Sequence, residues 1–254
     1  MPSEPPAAPD TAALQRRFDE ILLTPLEWPG RTMRLGRDAL LDYRNRPASG
    51  TVAIAELFHQ NSKLHPAIRS ELAAPEESAA LRAEYVRRRA VLARASGTAA
   101  LPLPDGVARV LRTVARACAP ELFYAIEIRL VAGRELAGFE PVSGRTSVLR
   151  RLDDLELADL RRALFTGGAA GDPAEEVIHV LVTASMARND LLLSARGYRR
   201  TLVEAGQVVQ AIVASARRSG LRCEVIHEFW DRVLDDVAQV DGVEEGTLVV
   251  LRLG

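Results

Sequence analysis

Lysine is almost absent from this sequence. Lysine and arginine together number 33 in 254 residues, and Lys63 is the only lysine among them. A GC-rich codon bias is the simplest cause of this preference for arginine. With 34 acidic residues the formal net charge is -1, so the chain has no long-range attraction to nucleic acid or an anionic membrane. We therefore expect neither as a partner.

Cysteines and long apolar runs are also scarce. Cys118 and Cys223 lack a C-x-x-C spacing and a nearby histidine, which favours buried thiols over a disulfide or a metal pair. No run of about 18 apolar residues occurs, and the first ten residues, MPSEPPAAPD, are acidic and proline-rich, unlike a signal peptide. The sequence predicts a cytoplasmic protein with no metal site.

Several common catalytic motifs are missing. G-x-S-x-G, Walker and G-x-G-x-x-G patterns are absent, so hydrolase, NTPase and Rossmann functions lack support. His179 lies in an apolar strand pattern and is predicted to be a core histidine.

The periodicity divides the chain into three parts. Residues 1–10 are predicted to be a disordered tail, residues 11–74 an N-terminal extension, and residues 75–254 the main domain. Two helical patterns, from Pro75 and from Pro104, precede a strand, a hairpin and a helix capped by Asp153. An apolar strand around His179 and a long helix to Arg218 follow. The order predicts an α+β fold with a mostly antiparallel sheet covered by helices.

The last third of the chain carries a succession of motifs. It contains SARGYRR at the start of a long helix, then Gly206, Gln207 and Gln210, a Gly220-Leu221 step, and the terminal strand DGVEEGTLVVLRLG. In this order the motifs resemble those of the nitroreductase superfamily. The segment FHQNSKLHP, residues 58–66, is similar to one found upstream of the core in SagB-type dehydrogenases of that superfamily. The resemblance covers roughly residues 39–254.

The resemblance implies a fold, a cofactor and partners. SagB-type enzymes are dimers that bind FMN at the subunit interface and oxidise azolines to thiazoles or oxazoles in ribosomally made peptides. The flavin takes or gives a hydride, and the protein supplies position and a proton carrier. We therefore expect a homodimer or heterodimer that works on a precursor peptide with other maturation proteins.

The residues at the cofactor positions match the family incompletely. The resemblance assigns flavin binding to Arg94, Ser96, Arg196, Gly197 and Gln207. The stretch ARASGT lacks the second arginine of the family's phosphate motif, so Arg94 and Ser96 are also explained as a charged helix end and its terminating serine. Pro120 and Glu121 replace the glycines of a flavin-facing turn, or form a simple helix-to-strand turn.

The residues at the acid-base positions differ most. Leu192 and Leu193 occupy the places of a Lys-Tyr pair that carries the proton in azoline dehydrogenases, and leucine transfers no proton. His227 and Glu228 stand where a further Gly-Gly turn is expected. The remaining catalytic candidates are Lys63, His65 and Tyr198.

Three hypotheses follow from this comparison of motifs. The first is an FMN-dependent oxidoreductase that modifies a ribosomally synthesised peptide with a displaced acid-base group. The second is a catalytically silent homologue that serves as a partner or scaffold subunit of a peptide-modifying complex. The third is a pocket reused for chemistry other than redox. The fold alone does not choose among them.

Overall fold

A computed structural model describes residues 75–95, 98–164, 177–194 and 196–254. The predicted tail and N-terminal extension lie outside these ranges, together with Lys63, His65 and Ser96. Within the described residues, no helix is both long and apolar enough to cross a membrane.

The centre of the described structure is a six-stranded antiparallel sheet in the order β3-β2-β1-β4-β6-β5. Its strands are β1 (Ile126–Ala132), β2 (Glu135–Glu140), β3 (Arg145–Arg151), β4 (Ile178–Ser185), β5 (Cys223–Ile226) and β6 (Glu245–Leu253). Strand β4 lies between β1 and β6, and its apolar run is buried from Val180 to Ala184. A strand with apolar residues on both faces is stable only where both faces are covered, which explains its central place.

Six α-helices are seen in the described residues. They are α1 (Pro75–Ala95), α2 (Asp105–Ala117), α3 (Asp154–Ala163), α4 (Met186–Leu193), α5 (Arg196–Arg218) and α6 (Asp231–Ala238). The apolar faces of α2 and α5 pack with Ile128, Leu130 and other residues of one sheet face. Helices α3 and α6 pack with Val131, Leu181 and others of the opposite face. The predicted α+β fold with a helix-covered antiparallel sheet is confirmed.

The predicted helix boundaries follow from local chemistry. Asp153 caps α3 by accepting the backbone N–H of Glu156 at 2.8 Å, and the Glu156 carboxylate accepts the Asp153 N–H at 2.8 Å. This capping box satisfies two amides that the first turn leaves unpaired. Helix α1 begins at Pro75, with Glu76 and Glu77 in its first turn and Arg94 in its last, as the helix dipole favours.

The hairpin between β2 and β3 also forms as predicted. Four residues, 141–144, connect the two strands, and the carboxylate of Glu140 accepts the backbone N–H groups of Val142 at 3.0 Å and Ser143 at 2.6 Å. Gly144 has a φ of 67°, in the left-handed region that glycine adopts without strain. The turn is therefore held by the last residue of β2.

Candidate functional site

The described site residues lie on α1 and α5. Arg94 is exposed in the last turn of α1, and Arg196, Tyr198 and Gln207 are exposed on α5. Arg196 and Gln207 are separated by about 16 Å along the helix axis at 1.5 Å per residue. The side chains on α5 therefore follow one another along the helix instead of converging on a single point.

Gly197 has a structural function that its sequence context did not indicate. A Cβ atom at this position would lie 2.4 Å from the backbone carbon of Asn189 and 2.5 Å from the Asp190 nitrogen. The Gly197 N–H donates to the carbonyl of Ser194 at 2.7 Å. Since no side chain fits here, glycine is what allows the start of α5 to lie against α4. Its assignment to flavin binding stays a prediction.

The two leucines at the Lys-Tyr positions lie at the end of α4. Leu192 is only 8% exposed and belongs to an apolar cluster with Val86, Tyr124 and Ala125, against which Leu193 packs. This cluster fills the space between α1, α4 and the start of β1. Leu192, which the sequence comparison matches to the Lys-Tyr pair, is thus part of the core.

The turn before β1 is a single 3₁₀ turn, Pro120–Phe123. Pro120 stands at its start, where a missing N–H costs nothing, and the Tyr124 N–H donates to the Glu121 carbonyl at 3.2 Å. Phe123 is buried beneath it. Residues 119–121 thus form part of a simple helix-to-strand turn between α2 and β1, as the second interpretation of this segment predicts.

A buried polar network joins α1, α4 and α5. The Glu204 carboxylate accepts from the Arg82 guanidinium at 2.6 Å, from Arg200 Nε at 2.7 Å and from the Asn189 amide at 3.0 Å. Arg82 also donates to the Asn189 carbonyl oxygen, and Asn189 donates to Thr201 Oγ1 at 2.8 Å. Every one of these groups except Arg200 is almost fully buried. The network compensates each buried charge with a partner, which is the condition for burying it at all.

A second polar cluster lies further along α1. Arg188 donates to Glu127 at 2.9 Å, and Arg89 pairs with the same carboxylate at 3.5 Å. Burial alone would raise the pKa of Glu127, but Arg89, Arg188 and Arg129 together lower that pKa below its usual value. Glu127 is therefore ionised at neutral pH and offers no proton to a reaction.

Two tyrosines connect the network and the cluster. Arg82 lies over the Tyr124 ring at 5.3 Å, Tyr124 meets the Tyr85 ring edge-on at 5.3 Å, and Arg188 lies over the Tyr85 ring at 4.8 Å. Burial raises the pKa of the Tyr85 phenol, so this hydroxyl stays protonated at neutral pH. Helix α1 is thus attached through arginine, tyrosine and carboxylate groups as well as through the apolar cluster around Val86.

No group of three or more potential metal ligands occurs in the part of the chain that the structure describes. Cys118 and Cys223 are free thiols, buried and half-buried, and burial raises the pKa of both. Both thiols are protonated at neutral pH, which suits a packing function.

Comparison with known proteins identifies the class of fold. No protein-family model matches the chain, and no curated protein sequence is significantly similar to it. A candidate nitroreductase of Anabaena variabilis is 18% identical, with a TM-score of 0.56 over 79% of this chain. The chain spans 46% of the length of that protein.

Two further solved structures align less well. A chain of the E. coli microcin synthetase McbBCD complex with truncated pro-MccB17 bound has 16% identity and a TM-score of 0.49, over 84% of this chain and 85% of its own. A candidate nitroreductase of Ralstonia eutropha has 14% identity and a TM-score of 0.45, over 62% and 75%. The Anabaena alignment defines the class: this is an α+β protein with a nitroreductase-like fold.

Proposed function

We propose that the chain is an FMN-dependent oxidoreductase of the SagB type, which modifies a ribosomally synthesised peptide in the cytoplasm. The observation that carries the proposal is the exposed Arg196 at the start of α5, in a first turn that contains no acidic residue of its own. A guanidinium group favours a phosphate, whereas the positive end of the α5 dipole already has the Asp190 carboxylate as a hydrogen-bond acceptor. The segment FHQNSKLHP resembles the SagB-type segment, and this resemblance supports a peptide as the substrate.

The residues present suit the charge of an FMN phosphate. Arg94 and Arg196 are both exposed, and neither forms an ion pair with another residue of the described ranges. They would hold the phosphate, together with Ser96, while Gln207 would contact the cofactor further along α5. A bound FMN would supply the hydride acceptor for the reaction.

Oxidation of an azoline removes a hydride and a proton, and the chain must carry the proton. Leu192 and Leu193 have no ionisable group, and Glu127 is held ionised by its arginines. Tyr198, two positions beyond Arg196 and partly exposed, is the described candidate, and Lys63 and His65 are the candidates outside the described ranges. The apolar cluster around Leu192 would exclude water from the side of α4.

Turnover of a modified peptide tests the proposal. FMN-loaded protein should convert an azoline-containing peptide to the azole, seen by mass spectrometry as loss of two hydrogen atoms. Lys63→Ala or Tyr198→Phe should lower the rate at least about 100-fold if that residue carries the proton, with Leu191→Ala as an exposed control. Unchanged rates in both variants would show that neither Lys63 nor Tyr198 carries the proton. If no FMN-loaded preparation produces the azole, the proposed oxidoreductase activity is excluded.

A second function has an observation of its own. The burial of Leu192 in the core favours a catalytically silent subunit that keeps the fold and acts as a partner or scaffold in a peptide-modifying complex. Such a protein would bind the peptide or another maturation protein without turnover. Flavin content separates the two functions, because only the first needs FMN.

A further inference from the structure

Helix α2 carries an arginine stripe, defined as Arg109, Arg112 and Arg116. Positions 109, 112 and 116 lie within about 60° of one another around a helix and span about 10 Å of its axis. All three side chains are exposed, whereas Val107, Val110, Leu111 and Val114 bury the opposite face of the helix in the core. The stripe therefore points away from the sheet.

Among the described residues, none neutralises the arginine stripe. On α1 the arginines Arg87 and Arg88 pair with Glu84, and on α3 Arg162 pairs with Asp159. The three arginines of α2 form no ion pair with any residue in the described ranges, and the only acid on α2 is Asp105 in its first turn. The helix dipole explains Arg116 in the last turn, but it does not explain Arg109 and Arg112.

A fourth arginine extends the stripe from a second element. An ideal Cβ at Gly144 would lie 3.9 Å from Cγ of Arg112, so the stem of Arg112 passes beside the turn between β2 and β3. Arg145 follows Gly144, is exposed, and likewise has no ion pair within the described ranges. The nearby hairpin restricts the directions open to the Arg112 stem, which lowers the entropy lost on binding.

From this geometry we infer that α2 and Arg145 form a docking surface for an acidic helical peptide segment. Carboxylates at positions i, i+3 and i+7 of a helix repeat the spacing of the stripe and would face its guanidinium groups. The inference rests on the proposed function in one respect, that the partner is a peptide. It requires neither FMN nor turnover.

A nucleic acid suits this surface less well. Along about 10 Å one strand of a duplex presents only about three phosphates, at 3.4 Å each, and the chain as a whole has a net charge of -1. Nucleic-acid binding depends on many phosphate contacts and long-range attraction. Four arginines are enough to pair with the carboxylates on one or two turns of an acidic helix.

Fluorescence anisotropy with defined probes tests the docking surface on the full chain, with and without added FMN. The probe is a fluorescein-labelled, alanine-rich helical peptide with glutamates at i, i+3 and i+7, and the comparison peptide has glutamines instead. Arg109→Glu with Arg112→Glu should weaken binding of the glutamate peptide at least about tenfold. Arg109→Gln with Arg112→Gln should give a smaller loss, and circular dichroism checks that each variant is folded.

The matched control reverses two arginines on the other side of the sheet. Arg161→Glu on α3 with Arg232→Glu on α6 changes the net charge equally, and binding should stay within about twofold of the unchanged protein. Equal affinity for the glutamate and glutamine peptides, or an equal loss in the control, would overturn the inference. So would tighter binding of a labelled oligo-dT. Because the assay does not depend on flavin, these outcomes are separate from failure of the oxidoreductase.

Discussion

Arg82 and Glu204 form an ion pair of 2.6 Å, although their side chains are only 4% and 2% exposed. The pair joins the second turn of α1 to the third turn of α5 across 122 residues of sequence. Buried ions are tolerated only when both are paired and their remaining hydrogen-bonding groups are satisfied. Asn189 supplies the additional partner for both.

Loss of Arg82 should therefore destabilise the protein strongly. Arg82→Met leaves Glu204 buried with fewer partners, and we expect a loss of about 3 kcal/mol in the free energy of unfolding, measured with urea. Arg200→Met removes a half-exposed partner of the same carboxylate and should cost less than about 1 kcal/mol. Equal losses would contradict the larger contribution of Arg82 to the burial of Glu204.

Two glycines of α5 should respond to alanine in opposite directions. Gly197→Ala places a Cβ against the Asn189 backbone, which has to move, so we expect a loss of about 3 kcal/mol or more. At Gly206 a Cβ meets nothing within 4 Å, and Gly206→Ala should stabilise the helix by up to about 1 kcal/mol. Thermal unfolding of both variants measures the difference, and a stable Gly197→Ala would contradict the close approach of α4 and α5.

Neighbouring leucines on α4 provide a test of the core position. Leu192 is 8% exposed and Leu191 is 83% exposed. Leu192→Ala should cost about 2–4 kcal/mol because it leaves a cavity among Val86, Tyr124 and Ala125. Leu191→Ala should cost less than about 0.5 kcal/mol. A small effect at Leu192, seen by urea unfolding, would mean that this position is open to solvent or ligand.

Acid should weaken the fold through His179. Burial, then Arg252 and Arg161, lower the pKa of this imidazole from 6.5 to about 4. Between these values the unfolded chain binds the proton and the folded chain does not, so stability falls as the pH falls. We expect a contribution of about 2 kcal/mol to be lost between about pH 7 and pH 5.

His179→Gln should remove this part of the pH dependence, measured as the free energy of unfolding at both pH values. The exposed His227 is the control, because His227→Gln leaves His179 in place. If the two variants show the same pH dependence, His179 is not the group responsible.

The regular elements were predictable because their residues interact locally. The period of two in β1, the continuous apolar centre of β4 and the Asp153 cap each depend on neighbours within a few positions. Helix α4 was not predicted. Its sequence, MARNDLLL, has little apolar periodicity, and it ends at Ser194 with a φ of 50°, so the packing against α5 determines it more than its own propensity does.

The polar networks could not be predicted because their partners are far apart in sequence. Two signals were present: Glu204 is the only ionisable residue between Thr201 and Ala216, and Arg82 stands four residues before Val86, which is buried on α1. A charge on an apolar helix face indicates a buried partner, but not which one. The motif residues gave the fold correctly, although Gly197 proved to be a packing position as well.

The most direct test of the central claim, that this nitroreductase-like chain carries FMN, is the flavin content of the purified protein. We expect absorbance between about 350 and 500 nm and release of FMN near one equivalent per chain on heating. Arg94→Glu with Arg196→Glu should abolish this flavin, and Arg161→Glu with Arg232→Glu should retain it. A colourless protein that takes up no added FMN would contradict the claim and leave the silent subunit and the pocket with chemistry other than redox.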